Sequence, residues 1–143
     1  MSQFKNPRKF AAGDRVHVQA QQIWQLLVAI LISRKFEGHQ AQIKVTYGDL
    51  AKAMGKPSQA GRSLIKPLWI IGEFCKDVGI PTLNSIVVNK ATGIPGEHVV
   101  LSDGRSVADE MRAVNAYDWA QISPPTRGTL LVVWNTIREL ELE

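Results

Sequence analysis

The sequence TYGDLAKAMGKPSQAGRSLIK, residues 46–66, decides the fold because it carries the start and stop signals of two consecutive helices. Thr46, with an acidic residue three positions later, has the form of a capping box and predicts a short helix from Tyr47 to Met54. Gly55 follows directly and can end that helix in a left-handed conformation. The first half of the stretch therefore predicts one short, sharply bounded helix.

A second helix is predicted immediately after the turn. Ser58 follows a proline and is a credible N-cap for a helix from Gln59 to about Lys66. Gly61 lowers helix propensity by roughly 1 kcal/mol relative to alanine, and it would allow close approach either to a duplex or to a neighbouring helix. Two short helices joined by a tight glycine-containing turn form a helix-turn-helix.

The helix-turn-helix would present several donors and positive charges on one short surface, which is what docking into a DNA groove requires. Gln and Arg side chains can read base edges, whereas Ser and Lys commonly contact phosphates. An ordinary amphipathic surface element is the structural alternative. The residues that we predict to contact DNA are Tyr47, Lys52, Lys56, Ser58, Gln59, Arg62, Ser63, Lys66 and Lys90.

Further helices are predicted on both sides of this unit. Val16 to Arg34 has apolar residues every three to four positions, which predicts a helix central to the core. Pro67 can open a helix that closes near Gly79. Thr126 can cap a last helix, whose apolar positions again recur at helical spacing.

The segment between these helices is predicted to contain two strands. Leu83 to Asn89 is rich in β-branched residues and predicts a strand. A turn at Thr92 to Gly96 would bring Val99 to Leu101 back beside it as a second strand. Apolar residues from Val107 to Val114 predict another helix.

These elements predict an α+β fold with a winged-helix-like helix-turn-helix core, framed by an N-terminal helix and a C-terminal helical extension. Residues 1–15 are polar and basic, and we expect a flexible arm there. Residues 16–143 are expected to form a single winged-helix-like domain, since 143 residues suffice for one compact core.

Charge is distributed unevenly along the chain. Residues 1–67 contain 11 Lys and Arg against 3 Asp and Glu, a net charge of +8, whereas residues 68–143 contain 6 against 10, a net charge of −4. A split of this size indicates that one half meets a polyanion, although a solvated surface with uneven charge would give the same count.

Part of the chain resembles a known family. Residues 46–57, TYGDLAKAMGKP, look like the start of the DNA-binding domain of alkylguanine-DNA alkyltransferases and of the catalytically inactive alkyltransferase-like proteins. Ala60-Gly61-Arg62 resembles the recognition helix of that family, and the stretch from Ile80 to Gly93 resembles its active-site segment. The resemblance covers roughly residues 46–93.

The resemblance implies a DNA-binding winged helix whose recognition helix enters the minor groove. It implies that Tyr47 lies near a phosphate or a flipped nucleotide and that Arg62 is the finger that enters the base stack. The family's catalytic cysteine is missing, because Pro81 is followed by TLNSI instead of the Cys-His-Arg motif. Alkyl transfer is therefore excluded, and we expect a non-catalytic protein.

Little else in the sequence predicts chemistry. Cys75 is the only cysteine and lies in an apolar stretch, so we expect an inert core thiol, with no disulfide and no thiolate zinc site. The three histidines show no metal-ligand spacing, and we predict neither a metal nor a cofactor. Asp109 and Glu110 are adjacent on a predicted helix and are expected to form a solvated acidic face.

Polar residues of the predicted strand form a second candidate site. Asn84, Ser85 and Asn89 could line a pocket that binds a base, a nucleotide or a peptide. Asparagine amides could equally satisfy backbone groups at strand ends and turns.

The sequence therefore predicts a cytoplasmic protein that binds double-stranded DNA, including distorted or modified DNA, in a bacterial or phage setting. The start of the chain lacks an apolar stretch before a cleavage site, and the longest apolar run, Leu26 to Ile32, is too short to span a bilayer. The alternative is a protein-interaction module, such as a small subunit or inhibitor of a larger complex, with a partner or second copy bound through the C-terminal helix.

Overall fold

Helices dominate the fold, with one short parallel strand pair. The structure is a computed structural model that describes residues 7–38 and 42–141. Within that part of the chain the regular elements are α1 (Val16–Phe36), β1 (Val45–Thr46), α2 (Tyr47–Ala53), α3 (Ile65–Val78), β2 (Val87–Val88), α4 (Val107–Ala116) and α5 (Arg127–Glu141). Three 3₁₀ helices connect them: Ser58–Leu64, Leu83–Ile86 and Trp119–Gln121. The α+β class predicted from sequence is confirmed.

Helix α1 is the centre of the core, as predicted. It buries Ile23, Trp24, Leu27 and Leu31 and packs against both α3 and α5. Trp24 makes edge-on contacts with the rings of Phe74 and Trp119, each at 5.7 Å between centroids. Aromatic pairs in this geometry add to the stability gained from apolar burial.

By length and composition alone, α1 also passes the test for a membrane-spanning helix. The helix has 21 residues, and an 18-residue window within it has a mean hydropathy of 1.2, with a third of that window buried inside the fold. The prediction that no apolar run is long enough to span a bilayer counted only uninterrupted apolar residues, whereas α1 reaches this hydropathy with polar residues among the apolar ones. Core helices of soluble proteins pass the same test.

Helix α2 begins and ends as the sequence predicts. The Thr46 hydroxyl accepts a hydrogen bond from the backbone N–H of Asp49 at 3.1 Å, so the N-terminus is capped. Gly55 has φ +82°, the left-handed conformation expected of a residue that ends a helix. Leu50 and Ala51 are fully buried and attach α2 to the core.

The second helix of the predicted helix-turn-helix differs from expectation. Ser58–Leu64 is a 3₁₀ helix, and the Ser58 side chain makes no capping hydrogen bond. The tighter coil has local causes: Gly61 and the serines are weak α-helix formers, and the Ser63 hydroxyl donates back to the carbonyl of Ala60 at 2.6 Å. The predicted α-helix from Gln59 to Lys66 is therefore wrong in type, although its position is correct.

The 3₁₀ helix continues directly into α3. That helix begins at Ile65, two residues before Pro67, which is tolerated because the first turn of a helix does not use its N–H groups. Gly79 ends α3 with φ +80°, as predicted.

The predicted strand from Leu83 to Asn89 is largely wrong. Leu83–Ile86 is a 3₁₀ helix, and only Val87–Val88 is a strand. It pairs in parallel with Val45–Thr46, in register Val45 with Val87 and Thr46 with Val88. Parallel pairing with a distant strand, buried on both faces, leaves no alternating pattern in the sequence.

The predicted hairpin is not formed. Residues Val99 to Leu101 are not a strand in the described structure. The intervening turn is instead closed on itself, since Asn89 N–H donates to Ile94 at 2.9 Å and Gly93 N–H donates to Asn89 at 2.8 Å. The segment is a self-contained loop, which differs from the two-stranded wing that the sequence suggested.

Helix α4 forms where predicted, capped by the Ser106 hydroxyl, but its two adjacent acids differ in environment. Asp109 is exposed and pairs with Arg112. Glu110 is fully buried, where it pairs with Arg105 at 2.6 Å and accepts a hydrogen bond from the N–H of Ser102. The expected solvated acidic face is therefore wrong for Glu110, which anchors the loop before α4.

Helix α5 closes the core, with Leu130 and Ile137 buried against α1 and α3. Thr126 caps it as predicted, its hydroxyl accepting from the N–H of Thr129 at 3.1 Å. Arg127 lies 5.5 Å from the ring of Phe10, which attaches the described part of the N-terminal arm to the helix. Residues 1–6 of the predicted flexible arm lie outside the described residues.

Candidate nucleic-acid interface

A cavity of about 410 Å³ lies where the helix-turn-helix, the start of α3 and the loop after β2 meet. Tyr47 and Gly48 of α2 form one side, and Ser58, Gln59 and Arg62 of the 3₁₀ helix form the adjacent rim. Asn84 and Asn89 lie on the opposite side, beside the loop residues Gly96 to Val99. Six residues singled out from the sequence therefore line one cavity: Tyr47, Ser58, Gln59, Arg62, Asn84 and Asn89.

Tyr47 is held in place from two directions. Its hydroxyl accepts a hydrogen bond from the N–H of Gly96 at 3.0 Å, which ties α2 to the loop on the far side of the cavity. Gly61 packs against its Cβ, because a Cβ added at Gly61 would lie 3.0 Å from that atom. Gly61 is buried, so of the two roles considered it serves helix packing. The tyrosine hydroxyl hydrogen stays available to a ligand.

The basic residue of the cavity rim is Arg62. Its side chain is exposed and forms no salt bridge within residues 7–38 and 42–141. Ser58 and Gln59 are exposed beside it. These three side chains can therefore contact a ligand without first breaking an internal interaction.

The two asparagines of the cavity behave differently. The Asn84 amide is almost fully buried, and in the orientation that satisfies both groups it accepts from Val100 N–H at 2.9 Å and donates to the Val100 carbonyl at 3.2 Å. Asn84 therefore builds the cavity wall. Asn89 is exposed, and its amide makes only a long contact of 3.5 Å to Ile94. Of the two, Asn89 is the one free to meet a ligand.

Ser85 does not belong to the cavity. It is fully buried, is absent from the lining, and its hydroxyl has no hydrogen-bond partner in the described part of the chain. The prediction placed it on a strand beside Asn84. The 3₁₀ turn of Leu83–Ile86 instead directs the serine side chain into the core.

The other predicted DNA contacts lie outside the cavity. Lys52 and Lys90 are exposed. Lys56 donates to the Gln19 amide oxygen at 2.7 Å, so this lysine extends toward the start of α1. The Ser63 hydroxyl donates a hydrogen bond to the Ala60 carbonyl of the same 3₁₀ helix. The Lys66 ammonium lies 6.0 Å from the centroid of the Trp134 ring. None of these five residues lines the cavity.

Nine lining residues are not among the site residues predicted from the sequence, and three of them are glycines: Gly48, Gly61 and Gly96. Ile65, Leu68 and Trp69 give the cavity an apolar wall, and Glu97, His98 and Val99 complete the loop side. Positions 65, 68 and 69 have the spacing of one helix face, so the register of α3 could have placed this wall next to the helix-turn-helix. The loop residues carry no comparable signal.

Further cations lie near the start of α1. The pKa of His17 is lowered by burial and by the nearby charges of Arg15 and Arg127. Arg127 is positioned by a 2.7 Å hydrogen bond to the Gln21 side chain, and Lys56 is held by Gln19, two residues earlier on the helix. Helix α1 thus organises cations from three separate parts of the chain.

Cys75 does not line the cavity, whose titratable lining residues are Tyr47, Arg62, Glu97 and His98. Cys75 is fully buried, and burial raises the pKa of its thiol to about 12, so it stays protonated near neutral pH. Its predicted place in the core is confirmed. Among the described residues there is no group of three or more His, Cys, Asp or Glu side chains that could hold a metal ion.

The chain matches no family model, no curated protein and no solved structure at a significant level. The cavity combines an apolar wall, an aromatic hydroxyl, amide groups and a free guanidinium at the rim. This set can stack a flat ring, hydrogen-bond its edge and contact a nearby anion.

Proposed function

We propose that this protein binds double-stranded DNA without catalysis and takes a base displaced from distorted or modified duplex into the cavity. The observation that carries the proposal is that Tyr47, Gln59 and Arg62, selected from sequence as DNA contacts, line one cavity with an apolar, aromatic wall. Proteins that read a flipped base stack it against such side chains and hydrogen-bond its edge.

The roles follow from the positions. Trp69 and Tyr47 would flank the base, while Gln59 and Asn89 would meet its polar edge. Arg62, exposed at the rim, would fill the gap that the base leaves in the duplex. The roles of Tyr47 and Arg62 are those that the resemblance to alkyltransferase-like proteins implies, whereas those of Trp69, Gln59 and Asn89 follow from their places in the cavity. The missing catalytic cysteine fits a binding protein.

The duplex backbone would follow the basic surface around the cavity. Lys52, Lys56 and Lys90 would contact phosphates near the rim, and Arg15 with Arg127 would extend the contact along α1. Each phosphate neutralised releases counterions, so the affinity should fall steeply as salt concentration rises. The closed loop from residue 89 to 99 would take the place of a wing in this winged-helix-like reader, and we propose a cytoplasmic location.

The test is fluorescence anisotropy with two duplexes that each contain one 2-aminopurine. The two differ only in the opposite base, so that the 2-aminopurine is paired in one duplex and mismatched in the other. Mismatched bases cost less to unstack, so we expect tighter binding to the mismatched duplex and a change in 2-aminopurine fluorescence as the base leaves the duplex stack. Arg62→Ala should weaken binding by about 1–3 kcal/mol and lower the salt dependence.

Arg34→Ala is the matched control, because Arg34 is also exposed but lies at the opposite end of α1. Fifteen residues separate it from Gln19, which is roughly 22 Å along a helix. Equal losses from both substitutions would reduce the interaction to non-specific charge. Absence of binding at low salt would refute the DNA proposal, and binding without a fluorescence change would refute the role of the cavity.

A further inference from the structure

A second concave surface lies on the other exposed side of α3, in the seam with α5. We call it the acidic groove; its volume is about 410 Å³. Trp69, Glu73 and Asp77 form its wall on α3, at spacings of four residues. Val132, Thr136 and Leu140 form the facing wall on α5, with the same spacing. Two parallel rows, each one residue per turn, therefore define a channel along two packed helices.

The α5 row is unusually exposed for apolar side chains. Val132 is 65% exposed and Leu140 is 66% exposed, although both lie on a well-formed helix whose opposite side is buried in the core. Trp134, on the same helix, is half-buried and flanked by Lys66 and Arg138. The exposed apolar surface of α5 therefore lies in the acidic groove and not around Trp134.

The charges of the acidic groove have one sign. Its lining includes Glu73, Asp77 and Glu141 but no Lys or Arg. None of the three carboxylates forms a salt bridge in the described part of the chain. Glu73 accepts only a long hydrogen bond of 3.4 Å from the Trp69 ring nitrogen. The protein thus presents unpaired negative charge along an apolar channel, although its total charge is +4.

We propose that the acidic groove is a docking site for a basic amphipathic helix of a partner protein. Amphipathic helices bind in this mode by laying an apolar face into a groove between helices, with anchors at helical spacing. Carboxylates at successive turns of α3 would pair with Lys or Arg on the flank of the partner helix. Such pairing selects the partner's orientation and suppresses competitors of the wrong charge.

Charge also decides against two other occupants. A second copy docked by two-fold symmetry would bring the acidic residues of both copies into one interface, because both subunits use the same patch in such a dimer. Duplex DNA would be repelled from the same carboxylates. The acidic groove therefore provides a protein contact distinct from the proposed DNA surface, and Trp69 lines both sites.

The experiment titrates the full-length protein with a defined 18-residue peptide of Leu and Lys, with Leu at helical spacing. Calorimetry should show saturable one-to-one binding, and NMR amide shifts should concentrate on the two rows of the acidic groove. The same peptide with Glu in place of Lys should not bind. A Glu73→Gln/Asp77→Asn double variant should weaken binding about five- to tenfold.

The control variants carry the same types of substitution at exposed positions, and each is matched to a variant inside the acidic groove. Glu139→Gln/Asp118→Asn removes two exposed charges outside the acidic groove and should change the affinity less than twofold. Leu140→Ser should weaken binding about tenfold, whereas Val78→Ser, an exposed apolar residue outside the acidic groove, should not.

Two results would overturn the proposal. Equal losses in the control and test variants would show non-specific attraction to negative charge. Self-association of the protein, measured by sedimentation and abolished by Leu140→Ser, would assign the surface to a second copy. DNA affinity is measured separately and should be unchanged in the acidic-groove variants, so failure here leaves the DNA proposal standing.

Discussion

The cavity and the acidic groove have similar volumes and share Trp69, but they are built in opposite ways. The cavity is formed by a 3₁₀ helix, a closed loop and the ends of helices; its lining holds Arg62 and one acid, Glu97, and the basic Lys52, Lys56 and Lys90 lie outside the lining. The acidic groove is formed by two regular helices and carries only negative charge. One helix, α3, thus separates two surfaces of opposite charge, which would keep a polyanion and a basic partner from competing.

The two surfaces also differ in what stabilises them. The loop side of the cavity depends on buried polar contacts: Asn84 with Val100, and Glu110 with Ser102 and Arg105. The acidic groove depends on apolar packing beneath α5, at Leu130 and Ile137. Substitutions that break the polar contacts should therefore disturb the cavity and spare the acidic groove.

Among the substitutions that test this difference, Glu110→Ala should lower the free energy of unfolding most. It would leave the Ser102 N–H and the Arg105 guanidinium without their buried partner, at a cost of about 3 kcal/mol in the free energy of unfolding. Denaturation in urea measures this cost. Asp109→Ala is the matched control, since the neighbouring carboxylate is exposed, and its change should be much smaller. Comparable losses from both would show that the buried contact contributes little.

The same residue predicts how stability depends on pH. Burial opposes ionisation of Glu110, but hydrogen bonds from Ser102 and Arg105 outweigh it, so its pKa lies below the usual value of 4.5. A lowered folded-state pKa gives a stabilisation that is complete above about 4.5 and is lost as pH falls through the folded-state pKa. The free energy of unfolding should fall in that acid range, and less so in Glu110→Gln. Parallel pH profiles for the two proteins would contradict this.

Gly72→Ala should have the next largest effect. An added Cβ would lie 2.6 Å from the Val100 Cβ and 2.8 Å from a terminal atom of the Asn84 amide, so the cavity wall must shift. We expect a loss of about 1–3 kcal/mol, despite the better helix propensity of alanine. Peptide binding to the acidic groove should persist in the folded variant.

Gly128→Ala, also a change of a helical glycine to alanine, should not lower the free energy of unfolding. Gly128 lies in the first turn of α5, and its added Cβ would meet no atom closer than 3.8 Å. Here helix propensity decides, and stability should be equal or higher by up to about 1 kcal/mol. If Gly72→Ala were as stable as Gly128→Ala, the tight contact behind the cavity would be unimportant.

Local signals explain why much of the fold could be predicted. The caps at Thr46 and Thr126 and the left-handed glycines at Gly55 and Gly79 act within four residues, and each fixes a helix end where expected. The strand Val87–Val88 has its partner 42 positions earlier, at Val45–Thr46. No local pattern encodes that pairing, so the buried apolar run was assigned to a hairpin instead.

In the candidate site too, residues marked by local signals were predicted, and residues placed by tertiary packing were not. Tyr47, Gln59 and Arg62 were found because residue type and helix position point to nucleic acid. Trp69 was missed because its place in the wall depends on how α3 packs, which follows from the continuous passage of the 3₁₀ helix into α3. Ser85 was misplaced for a related reason: in a 3₁₀ turn, neighbouring side chains do not alternate between two faces as they do in a strand.

Ser85→Ala should have the smallest effect and tests whether the cavity includes this residue. The Ser85 hydroxyl is fully buried, and no hydrogen-bond partner for it lies in the described part of the chain. Removing an unsatisfied buried hydroxyl should leave the free energy of unfolding unchanged or raise it by up to about 1 kcal/mol, and DNA affinity should not change. Asn89→Ala, which removes an exposed amide of the cavity lining, is the contrasting variant and should weaken DNA binding while sparing stability. A loss of DNA affinity in Ser85→Ala would return the serine to the site and would mean that the wall beside Asn84 opens when DNA binds.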